Sequence, residues 1–184
     1  MTRLEAIVRA DPTLMRLLEY LRDADLPQWR IVSGCLYQTV WNVLTGRSRG
    51  TGIQDYDVIY FDAADLSWHA EDAVIRRVTL DLPLQIRNQA RVHLWYERHF
   101  GVAYAPLRDA DESLSRYPAT AQAVGARLAR DGNFDIAAPF GLDDMFAMVM
   151  RPNPACPDRR AFETKATRAR SVWPEVTIAG WPDR

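Results

Sequence analysis

The sequence has few of the features that mark secreted, membrane-spanning or metal-cluster proteins. Cys35 and Cys156 are its only cysteines, too few and too far apart for a zinc cluster or a disulfide framework. Arg3, Glu5 and Arg9 interrupt the N-terminal apolar residues, unlike a signal peptide. No stretch approaches the roughly 20 apolar residues that cross a bilayer. We therefore expect a cytoplasmic protein with no membrane partner.

The sequence also has little net charge, and it lacks several common catalytic motifs. Lys and Arg total 23 against 24 Asp and Glu, a net charge of -1, whereas strong general nucleic-acid binding needs a clear cationic excess. A local basic patch stays open. The G-x-S-x-G, P-loop and H-E-x-x-H motifs are absent, which argues against the hydrolase, P-loop and zinc-protease classes.

The composition is that of a globular domain. Apolar residues make up 48% and charged residues 26% of the 184 positions, both ordinary values for one folded domain. No repeat or linker divides the chain. We predict a single domain over 1–184, with N-terminal helices in 1–26, a core in 27–150 and a C-terminal helix in 151–184.

Hydrophobic spacing predicts an α+β fold. The glycine-rich stretch 46–52 breaks all periodicity and is predicted to be a flexible connector. The pattern predicts helices at 2–23 (divided at Asp11-Pro12), 35–44, 67–80, 89–100, 119–130, 142–150 and 158–172, and strands at 29–32, 55–61, 84–86 and 134–137.

The sharpest chemical feature is Asp55-x-Asp57 at the start of a predicted strand. Residues two apart point to the same face of a strand, so the carboxylates lie side by side. Magnesium is held by one or two carboxylates plus substrate phosphates, so the pair suits phosphoryl or nucleotidyl transfer. A solvated strand end is the alternative.

Gly34 lies about twenty residues upstream, where a predicted strand meets a predicted helix. Backbone N–H groups at a helix start can hold a triphosphate, and glycine permits close approach. An ordinary turn glycine is the alternative.

These features together resemble the DNA polymerase β nucleotidyltransferase superfamily, through Ser33-Gly34-Cys35 and Asp55-Tyr56-Asp57-Val58. More specifically, the chain looks like a family of small bacterial nucleotidyltransferase-like proteins over most of residues 29–175. The closer resemblance rests on Gly34-Cys35-Leu36, Gln38-Thr39-Val40-Trp41-Asn42, the strand Asp55 to Asp62, Arg87-Asn88-Gln89-Ala90-Arg91-Val92-His93 and Ala138-Pro139-Phe140-Gly141-Leu142.

The resemblance implies a polymerase β-like α+β fold, with a mixed sheet flanked by helices as in the head domain of tRNA CCA-adding enzymes. It implies Asp55 and Asp57 as catalytic residues and Mg2+ ligands, with Gly34 and Cys35 at the phosphates of a nucleoside triphosphate (NTP). Cys35 stands where the superfamily more often has Ser or Gly. Gln85 stands on the later strand that carries the third carboxylate in the superfamily, and a glutamine cannot act as a base.

Several polar residues elsewhere are candidates for nucleotide contacts. Asn88 and Arg91 follow a predicted strand, and we predict that Arg91 binds phosphate. Alternatively, Asn88 caps a helix and Arg91 is solvated. Lys165 on the last helix is a further candidate, against a role on a solvated face. The aromatic side chains predicted to pack in the core are Trp41, Trp95, Tyr96 and Trp173.

Three functions follow as hypotheses. The first is a magnesium-dependent enzyme that moves a nucleoside monophosphate from an NTP to an acceptor hydroxyl. The second is a catalytically degenerate nucleotide-binding or sensing module, which Gln85 favours. The third is a toxin-type nucleotidyltransferase that modifies RNA or protein. The acceptor, whether small molecule, RNA or protein, stays open.

Overall fold

The computed structural model describes residues 1–156 and 158–182. Its helices are α1 (Arg3–Arg9), α2 (Pro12–Ala24), α3 (Gly34–Leu44), α4 (Trp68–Arg77), α5 (Tyr96–Phe100), α6 (Asp143–Phe146) and α7 (Arg159–Val172). Its strands are β1 (Arg30–Val32), β2 (Tyr56–Tyr60), β3 (Leu84–Asn88), β4 (Gly125–Leu128), β5 (Phe134–Ala137), β6 (Val149–Met150) and β7 (Thr177–Ile178). Short 3-10 helices cover Gln89–Leu94, Asp111–Arg116 and Thr120–Gln122.

The main sheet is mixed. Its order is β3-β2-β1-β4-β5, with β2 and β3 parallel and the other neighbours antiparallel. Strands β6 and β7 form a separate parallel pair. The predicted α+β class with a mixed sheet flanked by helices is confirmed. Strand β1, which leads into Gly34, is bonded directly to β2, which carries Asp57.

Helix α2 begins where the sequence predicts it. The Asp11 side chain accepts hydrogen bonds from the N–H groups of Thr13 and Leu14, and Pro12 occupies the first helical position, where a missing N–H costs nothing. Burying each leucine of its apolar face stabilises the fold by about 1.5–3 kcal/mol. That face is Leu14, Leu17, Leu18 and Leu21.

Two tryptophans join α3 to the C-terminal part of the chain. Trp41 donates from Nε1 to the Met145 carbonyl at 2.8 Å, and Trp173 donates to the Asn42 side chain at 3.0 Å. Their rings meet edge to face at 5.3 Å. A Cβ on Gly52 would lie 2.4 Å from the Trp173 ring, so this glycine is needed for close packing. Both tryptophans are core residues, as predicted.

The connector 46–52 is more firmly held than its composition predicts. The Asn42 amide donates to the Thr51 carbonyl at 2.9 Å, and the Arg168 guanidinium donates to the Gly52 carbonyl at 2.9 Å. Long-range bonds of this kind are invisible to a local pattern. The connector therefore forms part of the contact between α3 and α7.

The predicted helix at 119–130 is wrong. Only Thr120–Gln122 turns helically, and Gly125–Leu128 forms β4 between β1 and β5. A Cβ on Gly125 would lie 2.8 Å from the Arg30 side chain, so the strand passes close to β1. Pairing with both neighbours overrides the helix propensity of this alanine-rich stretch.

Other boundaries differ for local reasons. The helix predicted at 142–150 ends at Phe146, and Met148 takes a positive φ of 55° before β6. The helix predicted at 89–100 is interrupted at Trp95, where a 3-10 helix gives way to α5. The last predicted helix is observed as α7, within one residue of its predicted start.

Candidate active site

A tight turn between β1 and α3 presents the start of a helix beside the sheet. Ser33 occupies the turn with φ 55° and ψ -113°, a conformation that costs a non-glycine residue about 1–3 kcal/mol. Its N–H donates to the Val124 carbonyl, so the neighbouring strand holds the strained residue. The first N–H groups of α3 have no acceptor inside the helix, and they carry partial positive charge that favours an anion.

Gly34 leaves free space at this helix start. It does not have a positive φ, and a Cβ at this position would meet only the Gln38 Nε2 atom, at 3.6 Å. Neither backbone geometry nor internal packing therefore requires glycine here. The missing Cβ keeps the helix N-terminus open to a ligand.

Asp57 lies directly across from this turn. It pairs in register with Val32 on β1 and with Gln85 on β3. Asp55 lies two residues earlier, just before β2, and its Oδ2 accepts a hydrogen bond of 2.7 Å from Gln85 Nε2. The two carboxylates and the glutamine therefore form one cluster beside the start of α3.

The Asp57 carboxylate lacks a cationic partner. Burial and the nearby negative charge of Asp55 raise its pKa to about 6, while Lys165 and Arg87 lower it more weakly. No Lys, Arg or His in 1–156 or 158–182 forms a salt bridge with it. A desolvated charge costs stability unless something compensates it, so this site favours a cation from outside the chain.

The donor set fits magnesium rather than zinc or another metal that prefers nitrogen and sulfur ligands. Asp55 and Asp57 supply carboxylates, and the Gln85 Oε1 atom remains after its Nε2 has bonded to Asp55. Among the described residues no three His, Cys, Asp or Glu side chains gather into a metal site. An ion held by this pair would need further oxygens, which substrate phosphates can provide.

A cleft of about 360 Å³ opens from Asp57. Lys165 of α7 and Arg87 of β3 lie near Asp57, and Arg116, at the end of a 3-10 helix, lines the same cleft. In the part of the chain that the structure describes, none of these three cations forms a salt bridge. The remaining lining is Ser33, Gln89, Val92, Trp95, Tyr96, Phe100, Tyr104, Ser113, Tyr117, Pro118 and Gln122.

Cys35 cannot contact a ligand through its side chain. The residue is completely buried, and its thiol donates to the Val32 carbonyl at 3.5 Å. Burial and the neighbouring Asp57 raise the pKa of the thiol, so it stays protonated. Only its backbone N–H, at the start of α3, remains available to a phosphate.

Asn88 and Arg91 are structural rather than ligand-facing, which corrects both predictions. The Asn88 side chain accepts from the N–H groups of Ala90 and Asp62 and donates to the Asp62 carbonyl. Arg91 is 8% exposed and forms a buried ion pair with Glu71. Asn88 therefore caps a helix, which was the alternative to ligand binding in the sequence analysis. Arg91 is neither solvated nor in the cleft.

Sequence reasoning placed some cleft residues elsewhere. Trp95 and Tyr96 are half-buried and line the cleft rather than the core. Arg116 and Tyr104 come from the irregular segment after Gly101, which has no hydrophobic periodicity. The unusual density of aromatic residues over 95–104 was the one available indication.

The chain has no helix long and apolar enough to cross a membrane in its described residues. A comparison with curated proteins finds no match. A protein-family model described as "Nucleotidyltransferase" matches residues 19–178.

Three solved structures resemble this chain in fold. An NMR structure of a CCA-adding enzyme head domain is 24% identical, with a TM-score of 0.78 over 97% of this chain and 94% of that one. A CCA-adding enzyme in complex with CTP is 14% identical, with a TM-score of 0.59 over 96% of this chain. A tRNA-processing enzyme complex is 16% identical, with a TM-score of 0.52 over 89% of this chain. This chain spans 43% of each of the last two proteins. At these identities the likeness establishes the fold alone.

Proposed function

The chain belongs to the nucleotidyltransferase family whose model it matches over residues 19–178, and from that premise we propose that it is a magnesium-dependent enzyme. In the proposed reaction a nucleoside monophosphate passes from an NTP to an acceptor hydroxyl. The observation that carries the proposal is Asp57, a desolvated carboxylate that forms no salt bridge with the described residues and lines a cleft together with Lys165, Arg87 and Arg116.

Each residue has a separate task in this proposal. Asp55 and Asp57 hold Mg2+, which when bound neutralises charge on the phosphates. The backbone N–H groups of Gly34 and Cys35 face the phosphate oxygens. Lys165 compensates charge on the leaving pyrophosphate. Positioning and charge stabilisation of this kind are the main contributions that proteins make to phosphoryl transfer.

The acceptor oxygen forms a bond to the α-phosphorus while the bond to pyrophosphate breaks, and the hydroxyl proton passes to solvent. The CTP complex of the CCA-adding enzyme that shares this fold supports an NTP as the substrate class. The acceptor class is not assigned.

The test is magnesium-dependent release of pyrophosphate from each of the four NTPs, with a panel of hydroxyl acceptors. Asp57→Asn should abolish release, because the amide can neither balance nor bind the metal as a carboxylate does. Asp72→Asn is the matched control, since Asp72 is a partly exposed residue of α4 whose one salt bridge among the described residues is with Arg76, one turn along the same helix. Undiminished turnover in Asp57→Asn would refute the catalytic assignment.

Gln85 supports a second candidate, a nucleotide-binding module without turnover. It lies in register with Asp57 and donates to Asp55, where a third carboxylate would complete a catalytic set. Under this alternative the native protein binds Mg2+ and NTP but releases no pyrophosphate. Gln85→Asp would then create turnover, whereas turnover in the native protein would exclude the alternative.

A further inference from the structure

The cleft that Asp57 lines is also lined by aromatic side chains that do not belong to the core. We call Trp95, Tyr96, Phe100 and Tyr104 the aromatic wall. Tyr96 packs against Phe100 and Tyr104 with ring centroids 4.6 Å apart in both cases. Phe100 is nevertheless 51% exposed, and Trp95 is half-buried. Rings that support one another while facing a cavity form a stacking platform.

The same cavity contains a buried amide with an unused acceptor. Gln122 is 1% exposed, and its Oε1 atom accepts no hydrogen bond from any residue in 1–156 or 158–182. Its Nε2 donates to the Tyr37 hydroxyl at 3.4 Å, and this bond fixes the orientation of the side-chain amide. Buried acceptors are normally satisfied, and a ligand N–H or O–H in the cleft would satisfy this one.

A cation of the same cleft lies against the aromatic wall. The Arg116 guanidinium lies 5.6 Å from the centroid of the Tyr104 ring and has no carboxylate partner among the described residues. A flat guanidinium beside an aromatic ring can extend a stacking surface or bind a phosphate oxygen. The cavity thus suits a ligand with a flat heterocycle against the aromatic wall and an anionic group that reaches the metal-binding carboxylates and the cations near them.

We propose that the aromatic wall and Gln122 form the nucleobase subsite, so that Trp95 and Tyr96 stack the base of the NTP while its triphosphate lies at Asp57. This inference rests on the proposed function, because it takes the anionic end of the ligand to be a triphosphate. It assigns a task to residues that the metal and phosphate contacts do not use.

The experiment compares two probes, each with Mg2+: the NTPs and inorganic tripolyphosphate, which has no base. Calorimetry measures both affinities for the native protein, Trp95→Ala, Trp95→Phe and Leu94→Ala. Leu94 is the matched control because it directly precedes Trp95, is 54% exposed and is not among the residues that line the cleft. Thermal melts verify that each variant is folded.

Native protein should bind at least one NTP more tightly than tripolyphosphate. Loss of a stacked ring should weaken that NTP by roughly 5- to 150-fold and leave tripolyphosphate within about twofold, while Trp95→Phe should retain most of the affinity. Stacking should also quench tryptophan fluorescence in the native protein but much less in Trp95→Phe.

Equal native affinity for NTPs and tripolyphosphate would overturn the subsite and leave the triphosphate site intact. A Trp95→Ala variant that binds NTP as tightly as the native protein would overturn the subsite as well. If neither probe binds the native protein with Mg2+, or if Asp57→Asn binds tripolyphosphate as tightly as the native protein does, the proposed function is refuted instead. The two failures are therefore distinguishable.

Discussion

Two polar clusters lie beside the same sheet, and they differ in whether their charges are balanced by partners within the chain. Around β3, Glu71 accepts from the Asn88 N–H and pairs with Arg91, so the charges are balanced within the chain. Beside β2, Asp57 forms no salt bridge with the described residues, although Lys165 and Arg87 lie nearby, and in the same cleft the Gln122 Oε1 atom accepts no hydrogen bond from them. Polar groups that have their partners support the fold. Polar groups without partners cost stability until a ligand pairs with them. Substitutions in the two clusters should therefore have opposite effects on stability.

The largest effect should come from the balanced cluster. Glu71→Ala leaves the Arg91 guanidinium buried without its partner and removes the acceptor of the Asn88 N–H. We expect a loss of about 3–5 kcal/mol in the free energy of unfolding, measured by urea denaturation. A loss below about 1 kcal/mol would show that the pair is solvated in solution.

Asp57→Asn should change stability in the opposite direction. Without Mg2+ the substitution removes a desolvated charge, and we expect the free energy of unfolding at pH 8 to rise by on the order of 1–2 kcal/mol. Because the pKa of Asp57 is raised to about 6 in the folded protein, its full destabilising effect is present only above about pH 6, where the carboxylate is charged. The folded state binds the proton first as pH falls, so the advantage of the variant should shrink between about pH 6 and pH 4. An advantage that grows on acidification would contradict this account.

A smaller effect is expected for the cations that have no partner. Lys165→Met should weaken Mg-dependent tripolyphosphate binding by about tenfold, because one charge-assisted contact is worth about 1.5 kcal/mol. Arg170→Met is the matched control on the exposed surface of the same helix. Equal loss in both variants would mean that the effect is general attraction rather than a contact in the cleft.

Cys35→Ala should have the smallest effect on binding. The thiol is buried and turned towards the Val32 carbonyl, so NTP affinity should stay within about twofold. The small cavity should lower stability by about 1 kcal/mol. A tenfold loss of affinity with normal stability would instead assign the thiol a direct contact.

The sequence predicted best where local pattern and tertiary structure agree. Asp11 and Pro12 mark the start of α2, and Gly34 marks the start of α3, because caps and turns act over a few residues. The strand containing Asp57 was predictable from its β-forming residues. Strand β4 was not, since its alanine-rich sequence favours a helix and only pairing with β1 and β5 makes it a strand.

Side-chain partners were harder to predict than elements. Arg91 and Lys165 are both cations on helical segments, yet one is paired with Glu71 and the other faces the cleft. That difference depends on α4 and α7, which pack from distant parts of the chain. Tyr104 reaches the cleft from irregular backbone and Arg116 from the end of a short 3-10 helix, and neither segment has a periodic hydrophobic pattern.

The function proposed for this protein depends on Asp57 binding a ligand, Mg2+ with an NTP, that balances its charge. The most direct test is calorimetry at pH 8 of the four NTPs, with and without Mg2+, on native protein and Asp57→Asn. The account predicts magnesium-dependent binding of at least one NTP to the native protein and its loss in a variant that is folded and more stable. Undiminished binding to Asp57→Asn, or a variant less stable than the native protein, would contradict it.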